Sequence, residues 1–353
     1  MSQVDPEADR PLRFAEVELL QEDDYAKPHI ESGRRLHGGL AEDGRYISPR
    51  MKQRGPAIES WTAALRDRGG DLLSADASLL TGARYPNDAQ SKLLLQEGLG
   101  QSFWNSLTIT GHIEARGRVL ADMTFPDFQE VILEDISGMA LGHLNLGLLK
   151  AHGLDEGGQP EQGIGGHDEM WFALRDLAFG DVGYPEPVIP ENIARPEEHK
   201  PPPPPISAPH GQLLDFLMNL LLIEFRAERL FALAETLLRD PELFTERKSE
   251  AEHAAELVNR IRQDESVHVE SLRLFLGEAR ALTFRRVEGG TLMGAEFLDD
   301  QWHRMVEWAT VIQPPLAVEQ QRPLIRSRIA DHPQSKRVQK AFDALEEVSY
   351  DGL

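Results

Sequence analysis

Glu265-Ser-Val-His268 sets a carboxylate and an imidazole three residues apart. On an α-helix, positions i and i+3 share a face one turn apart, so both side chains can reach a single metal ion. Glutamate would supply oxygen and histidine nitrogen, and a carboxylate from a facing helix could bridge to a second ion. The 353 residues include no cysteine, which excludes disulfides, thiolate ligands and cysteine nucleophiles. Carboxylates and imidazoles must therefore do any metal binding, and the chain holds 59 Asp+Glu and 12 His. There is no G-x-S-x-G, no Walker loop and no Rossmann glycine pattern with a suitable βαβ unit. Gly163–Gly166 (GIGG) reads as a turn before a helix and not as a phosphate cradle.

The elements that must position these groups are helical, and the fold class expected is all-α. Residues 1 to about 55 are polar and punctuated by Gly and Pro, as in an arm wrapping a domain. Pro56–Asp67 reads as a short helix, and Asp88 to about Met123 as a longer helical region that Pro126 stops. Four stronger segments follow: Phe128–Ala151, His167–Phe179, Gly211–Arg239 and about Lys248–Arg280. Between the second and third lies Asp181–His210, whose run Pro201–Pro205 must be extended. It suits a domain linker or the long crossover of a four-helix bundle, and the crossover is preferred because of a repeat. Gly294–Val311 and Arg337–Val348 read as a C-terminal helical cap. The expected division is 1–125 as an N-terminal extension, 126–280 as the bundle and 281–353 as the cap.

The repeat aligns the first two strong segments with the last two. Glu130-Val-Ile-Leu-Glu134 falls under Glu224-Phe-Arg-Ala-Glu228, and Asp168-Glu169 under Asp264-Glu265. Glu134 and Glu169 are 35 residues apart, and Glu228 and Glu265 are 37 apart. The surroundings of Glu224, LMNLLLIEF, are apolar almost all round, and an acid there would be severely desolvated without a compensating cation. Register favours Glu228 as a ligand and burial favours Glu224, so both are candidates. The expected metal set is Glu134, Glu169, Glu224, Glu228, Glu265 and His268, with Asp264 able to orient an imidazole. No residue is assigned a catalytic role.

One glutamate on each of two helices, with Glu-x-x-His on the others, resembles the di-metal carboxylate proteins of the ferritin-like superfamily over residues 128–280. The resemblance implies a ferritin-like four-helix bundle with a long crossover between its second and third helices. It also implies two iron ions, or an iron–manganese pair, that activate dioxygen against a small organic substrate. Phe172 stands where the family would place its first histidine. His167 lies about 200° round the helix from Glu169 and substitutes only if the helix starts irregularly there. His143 lies on the opposite face from Glu134. A site with one imidazole missing, a mononuclear site and a lost site all stay open. Trp171 and Phe172 would line any substrate pocket.

The formal net charge of -22 argues against nucleic acid as a partner, since a phosphate backbone needs a basic face. No run approaches the roughly 18 apolar residues that cross a bilayer, and no signal peptide is evident, so a cytoplasmic location is expected. A homodimer is admissible. The alternatives to an oxidase or oxygenase are an iron-binding ferroxidase and a helical scaffold that has lost its metal. His112, His303 and His332 are isolated and read as structural or surface residues.

Overall fold

The computed structural model describes residues 12–80, 84–191, 193 and 195–347. Eleven α-helices dominate them: α1 (Glu16–Leu19), α2 (Met51–Asp67), α3 (Asp88–Gln96), α4 (Gln101–Gly117), α5 (Leu148–Gly157), α6 (His167–Phe179), α7 (Ala208–Arg239), α8 (Lys248–Arg280), α9 (Ala295–Glu307), α10 (Gln313–Ala330) and α11 (Ser335–Glu347). Strands are few and short. β1 (Lys27–Glu31), β2 (Arg34–Leu40) and β3 (Tyr46–Ile47) form an antiparallel sheet in that order, and β4 (Thr283–Arg285) pairs with β5 (Thr291–Met293). Val348 of the expected last helix lies outside the described residues. Among the described residues no helix is long and apolar enough to cross a membrane.

The longest helices are α7 and α8, and they pack along each other. α7 opens on Ala208-Pro209, where proline has no helical hydrogen bond to lose, and ends before Pro241. α8 packs in turn on α6, α6 on α4, and α4 on α5. Two apolar clusters form along this assembly. One holds Leu217, Leu221 and Phe225 of α7 with Leu272 and Phe275 of α8. The other holds Trp171, Phe231, Ala255, Val258 and Ile261. Each large side chain so buried is worth about 1.5–3 kcal/mol. On both long helices the change from one cluster to the other falls beside Glu224, Glu265 and His268.

Residues 128–151 are not one helix, in contrast to their expected form. Phe128–Glu130 is a 3-10 turn, Ala140–Leu146 another, and α5 starts only at Leu148. The side chains of Asp127 and Asp135 accept hydrogen bonds from the amides two residues ahead, 2.9 Å each, and compete with helix formation. The chain instead runs beside β4, with Leu133 donating to Thr283 O and Arg285 to Val131 O. Its apolar residues Ile132, Ile136 and Ala140 keep a helix-like spacing and reach the core, although the backbone between them is not helical. The proposed repeat therefore loses its first member as a helix. The expected helix Pro56–Asp67 starts earlier, at Met51, and α10 was not anticipated.

Candidate metal centre

Five helices deliver seven buried side chains to one place. α4 supplies Glu114, α5 His152 and Glu156, α6 His167, α7 Glu224, and α8 Glu265 with His268. His152 and Glu156 are four residues apart and so share a face of α5. α5 can come this close to the end of α4 because it has glycine at the contact. A Cβ on Gly153 would lie 2.5 Å from the Ala121 amide nitrogen, and one on Gly117 would lie 2.7 Å from Glu156 Cγ. His167 opens α6, and the turn before it is pinned by β2: His37 N donates to Gly165 O at 2.8 Å and Gly165 N to Arg35 O at 2.9 Å. The Gly-rich turn thus brings His167 back beside Glu156.

The seven residues form two groups that could each hold a metal ion, His152, Glu156, Glu224 and His268 in one and Glu114, Glu156, His167 and Glu265 in the other. Glu156 belongs to both. In the first, His152 Nε2 lies 3.2 Å from Glu224 Oε1 and 3.5 Å from Glu156 Oε1, while His268 Nδ1 lies 3.2 Å from Glu156 Oε1. In the second, His167 Nδ1 lies 3.1 Å from Glu265 Oε1 and 3.8 Å from Glu156 Oε1. Glu265 also touches the first group, with Oε2 2.7 Å from His268 Nδ1. His152 Nε2, Glu156 Oε1, His167 Nδ1 and Glu265 Oε1 are buried and have no hydrogen-bond partner. Such atoms are costly to leave unmatched, and their convergence fits a cation bound by carboxylates and imidazoles.

Behind the ligand atoms a second layer fixes two of the imidazoles. His268 Nε2 lies 3.1 Å from Asp155 Oδ2, and His167 Nε2 lies 3.3 Å from Asp264 Oδ2. Each ring therefore turns Nδ1 toward the centre, the arrangement by which carboxylates orient metal-binding histidines. Asp155 is also held by two buried guanidiniums, Arg50 and Arg54, the latter at 2.7 Å. Asp264 accepts from Tyr46 Oη at 2.8 Å and lies 3.2 Å from His37 Nε2. The N-terminal sheet thereby supplies β2 and β3 residues to the back of the site.

The titration of these groups reports the same crowding. Burial, then the charge of Glu156, raises Glu114 well above the usual carboxylate range, and burial with Glu265 does so for Glu224. Burial would also raise Glu156, but the close approach of Glu114, His167 and His268, with the charge of His167, holds it well below. Burial would discharge His167 and His268, yet the carboxylates around them, Glu265 foremost, keep both well above the ordinary histidine value. His152 is pushed down to about 3 by burial and by His268. Asp155 stays well below its ordinary value because Arg50 and Arg54 outweigh its burial. Among the described residues no Lys or Arg ion-pairs with the four glutamates. Positive charge must reach them from protons or from metal.

Of the six residues expected from sequence, the structure brings Glu224, Glu265 and His268 together and leaves the other three elsewhere. Glu134 accepts from Thr283 N and Oγ1 beside β4. Glu169 pairs with Arg34 at 2.9 Å, and Glu228 with Arg262. Glu114, His152 and Glu156 were not singled out, and His167 was discounted. The i,i+4 spacing of His152 and Glu156 was a usable signal, obscured because Gly153 reads as a helix stop. Phe172 packs on Gly111 and His112 between α6 and α4, and does not occupy a ligand position. Trp171 is buried against Phe231, 5.0 Å between ring centroids. His143 is structural, bonded to Met139 O and Phe14 N.

A cavity of about 410 Å³ reaches the centre from outside, lined by Glu224 and Glu265 at its inner end and by Ser266, Glu270 and Arg273 farther out. Trp171 and Phe172 do not line it. Comparison with protein-family models, curated proteins and solved structures gave no match.

Proposed function

We propose that the chain is a di-metal oxidoreductase of the ferritin-like kind, using two iron ions or an iron–manganese pair with dioxygen and a small organic substrate. The observation that carries this reading is the place of Glu156 between the two groups, its Oε1 lying 3.2–3.8 Å from nitrogens of three imidazoles. Iron held there would supply redox chemistry toward dioxygen at positions the protein leaves open. Glu114, His167 and Glu265 would hold one ion, and His152, Glu224 and His268 the other. The four glutamates carry the charge that two divalent ions would neutralise. Asp155 and Asp264 hold the Nε2 sides of His268 and His167, so those rings keep Nδ1 inward through any change in the ligands' charge. The two apolar clusters that meet at the site limit water to the cavity beside Glu224 and Glu265.

Helices α4, α6, α7 and α8 would be the bundle, with residues 180–207 as its crossover. The ligand pattern departs from the superfamily's in one half. α8 has Glu-x-x-His as expected, whereas the corresponding pair is split between Glu156 on α5 and His167 on α6. The lost-site alternative rested on Phe172, which packs away from the ligands. A ferroxidase acting without an organic substrate is the second reading, favoured by the carboxylates Asp76 and Glu270 along the cavity, which suit a cation's approach.

Anaerobic reconstitution with ferrous iron, followed by metal analysis, tests the proposal. About two ions per chain are expected from the two ligand groups. Failure of both iron and manganese to bind would sink the oxidoreductase and the ferroxidase together. Oxygen uptake by the loaded protein with ferrous iron alone, and no stimulation by organic compounds, would select the ferroxidase.

A further inference from the structure

A second cavity, of about 300 Å³, lies on the other side of α7. Its walls come from α3, α4, α7 and the C-terminal helices, and Leu94, Leu95, Phe103, Leu230, Leu233 and Ile325 make them largely apolar. The ionic side chains lining it are all arginines: Arg84, Arg226 and Arg229. Among the described residues no Asp or Glu lines it, in a chain whose net charge is -22. That bias is opposite to the molecule as a whole.

Arg226 is the informative residue. Its guanidinium lies over the Trp308 ring, 4.8 Å from the centroid, and its buried Nη2 has no hydrogen-bond partner. The arginines that are buried outright are matched, Arg50 and Arg54 by Asp155 and Arg195 by Asp215. A half-buried guanidinium whose inner nitrogen meets no counter-charge is costly, and its planar fork suits a carboxylate bound through two oxygens. Arg84 Nη1 is likewise buried without a hydrogen-bond partner, although Asp88 stands 3.9 Å away. The facing wall includes a π-helical turn, Trp308–Ile312, a conformation that recurs at functional sites.

We infer that this cavity binds a monocarboxylate with an apolar body, its carboxylate on Arg226 and its body among the leucines. The volume lies at the small end of ligand pockets, about 300–1,000 Å³. Arg226 follows Glu224 by two residues and points about 200° away round α7. The cavity shares no lining residue with the metal ligands, so the inference stands independently of the metal reading.

The test titrates the full-length protein, by calorimetry, with decanoate, 2-naphthoate and decanol. Decanoate or 2-naphthoate is expected to bind about tenfold or more tightly than decanol, about 1.4 kcal/mol. The tighter of the two carboxylates then tells a flexible from a flat apolar body. Arg226→Gln should remove the preference for carboxylate while metal content stays at the wild-type level, and Leu233→Trp should fill the cavity and abolish binding. Equal binding of decanol and both carboxylates by the wild type overturns the inference, as does no carboxylate binding at all. That comparison decides the matter even if the Arg226 variant does not fold. A preference that survives in folded Arg226→Gln overturns it too.

Discussion

The imidazoles of His152 and His268 stack nearly parallel, with ring centroids 3.8 Å apart and planes 11° from parallel. Two imidazolium ions so placed would repel strongly in a buried site, so at most one ring can hold a proton comfortably. His152 is the ring driven neutral, and its Nε2 faces Glu224 and Glu156. A neutral imidazole beside carboxylates is in the form a metal requires.

Glu156 is common to both ligand groups, so its loss should weaken both ions. Glu156→Ala is expected to reduce iron affinity about a hundredfold or more, beyond the roughly 10–100-fold typical of outer partners. Glu228→Gln should leave the affinity unchanged, because Glu228 is engaged by Arg262. Metal titrations of the two variants beside wild type decide the point. Equal affinities for all three proteins would remove Glu156 from the site.

Asp264 touches no ligand carboxylate and acts through His167. Asp264→Asn should keep the number of bound ions and lower their affinity about 10–100-fold. Spectroscopy of a cobalt-substituted protein should show altered nitrogen ligation. An unchanged affinity and spectrum would mean that His167 is oriented by its helix position alone.

Gly153 is a test of the contact that brings α5 to α4. The added methyl of Gly153→Ala meets backbone at Ala121, which cannot yield as a side-chain tip can. A destabilisation of about 1–3 kcal/mol is expected, against the usual helix-favouring effect of Ala for Gly. Urea denaturation of the metal-free protein measures it. A stabilised variant would show that the contact is looser than described.

Glu278 gives the fold a pH dependence of its own. Burial pushes its carboxyl up to about 7, against amide hydrogen bonds from Leu141 and Ala140 and the charge of Arg68. The folded chain keeps a proton there that the unfolded chain releases near 4.5. The associated stability is present in full below pH 4.5 and is lost as pH rises through 7, by up to about 3 kcal/mol at pH 8. Melting temperatures of metal-free wild type should therefore fall more steeply between pH 5 and pH 8 than those of Glu278→Gln. Parallel curves would contradict the shift.

The sequence disclosed the strongest helices and three of the seven clustered side chains, for identifiable reasons. α6 and α7 are bounded by glycine or proline and α8 is amphipathic along its whole length, so their extents were readable. Glu224, Glu265 and His268 could be found because an acid in an apolar stretch and an i,i+3 pair are local signals. Residues 128–147 are apolar enough to suggest a helix, but Asp side chains divert their backbone, and no helix propensity registers contacts with β4. Glu114 has no local mark at all. Its role depends on glycines 117, 153 and 157 letting two backbones meet, a tertiary fact that only the packed chain expresses.

Because the candidate ligands come from α4, α5, α6, α7 and α8, a contiguous fragment ending before His268 lacks at least one of them. Metal retention would then report on the whole span from Glu114 to His268 as a single cooperative unit. A protease cut anywhere in residues 180–207 tests this without mutation. If the two pieces stay together the ions stay, and if they part the ions leave with the first separation, not one at a time.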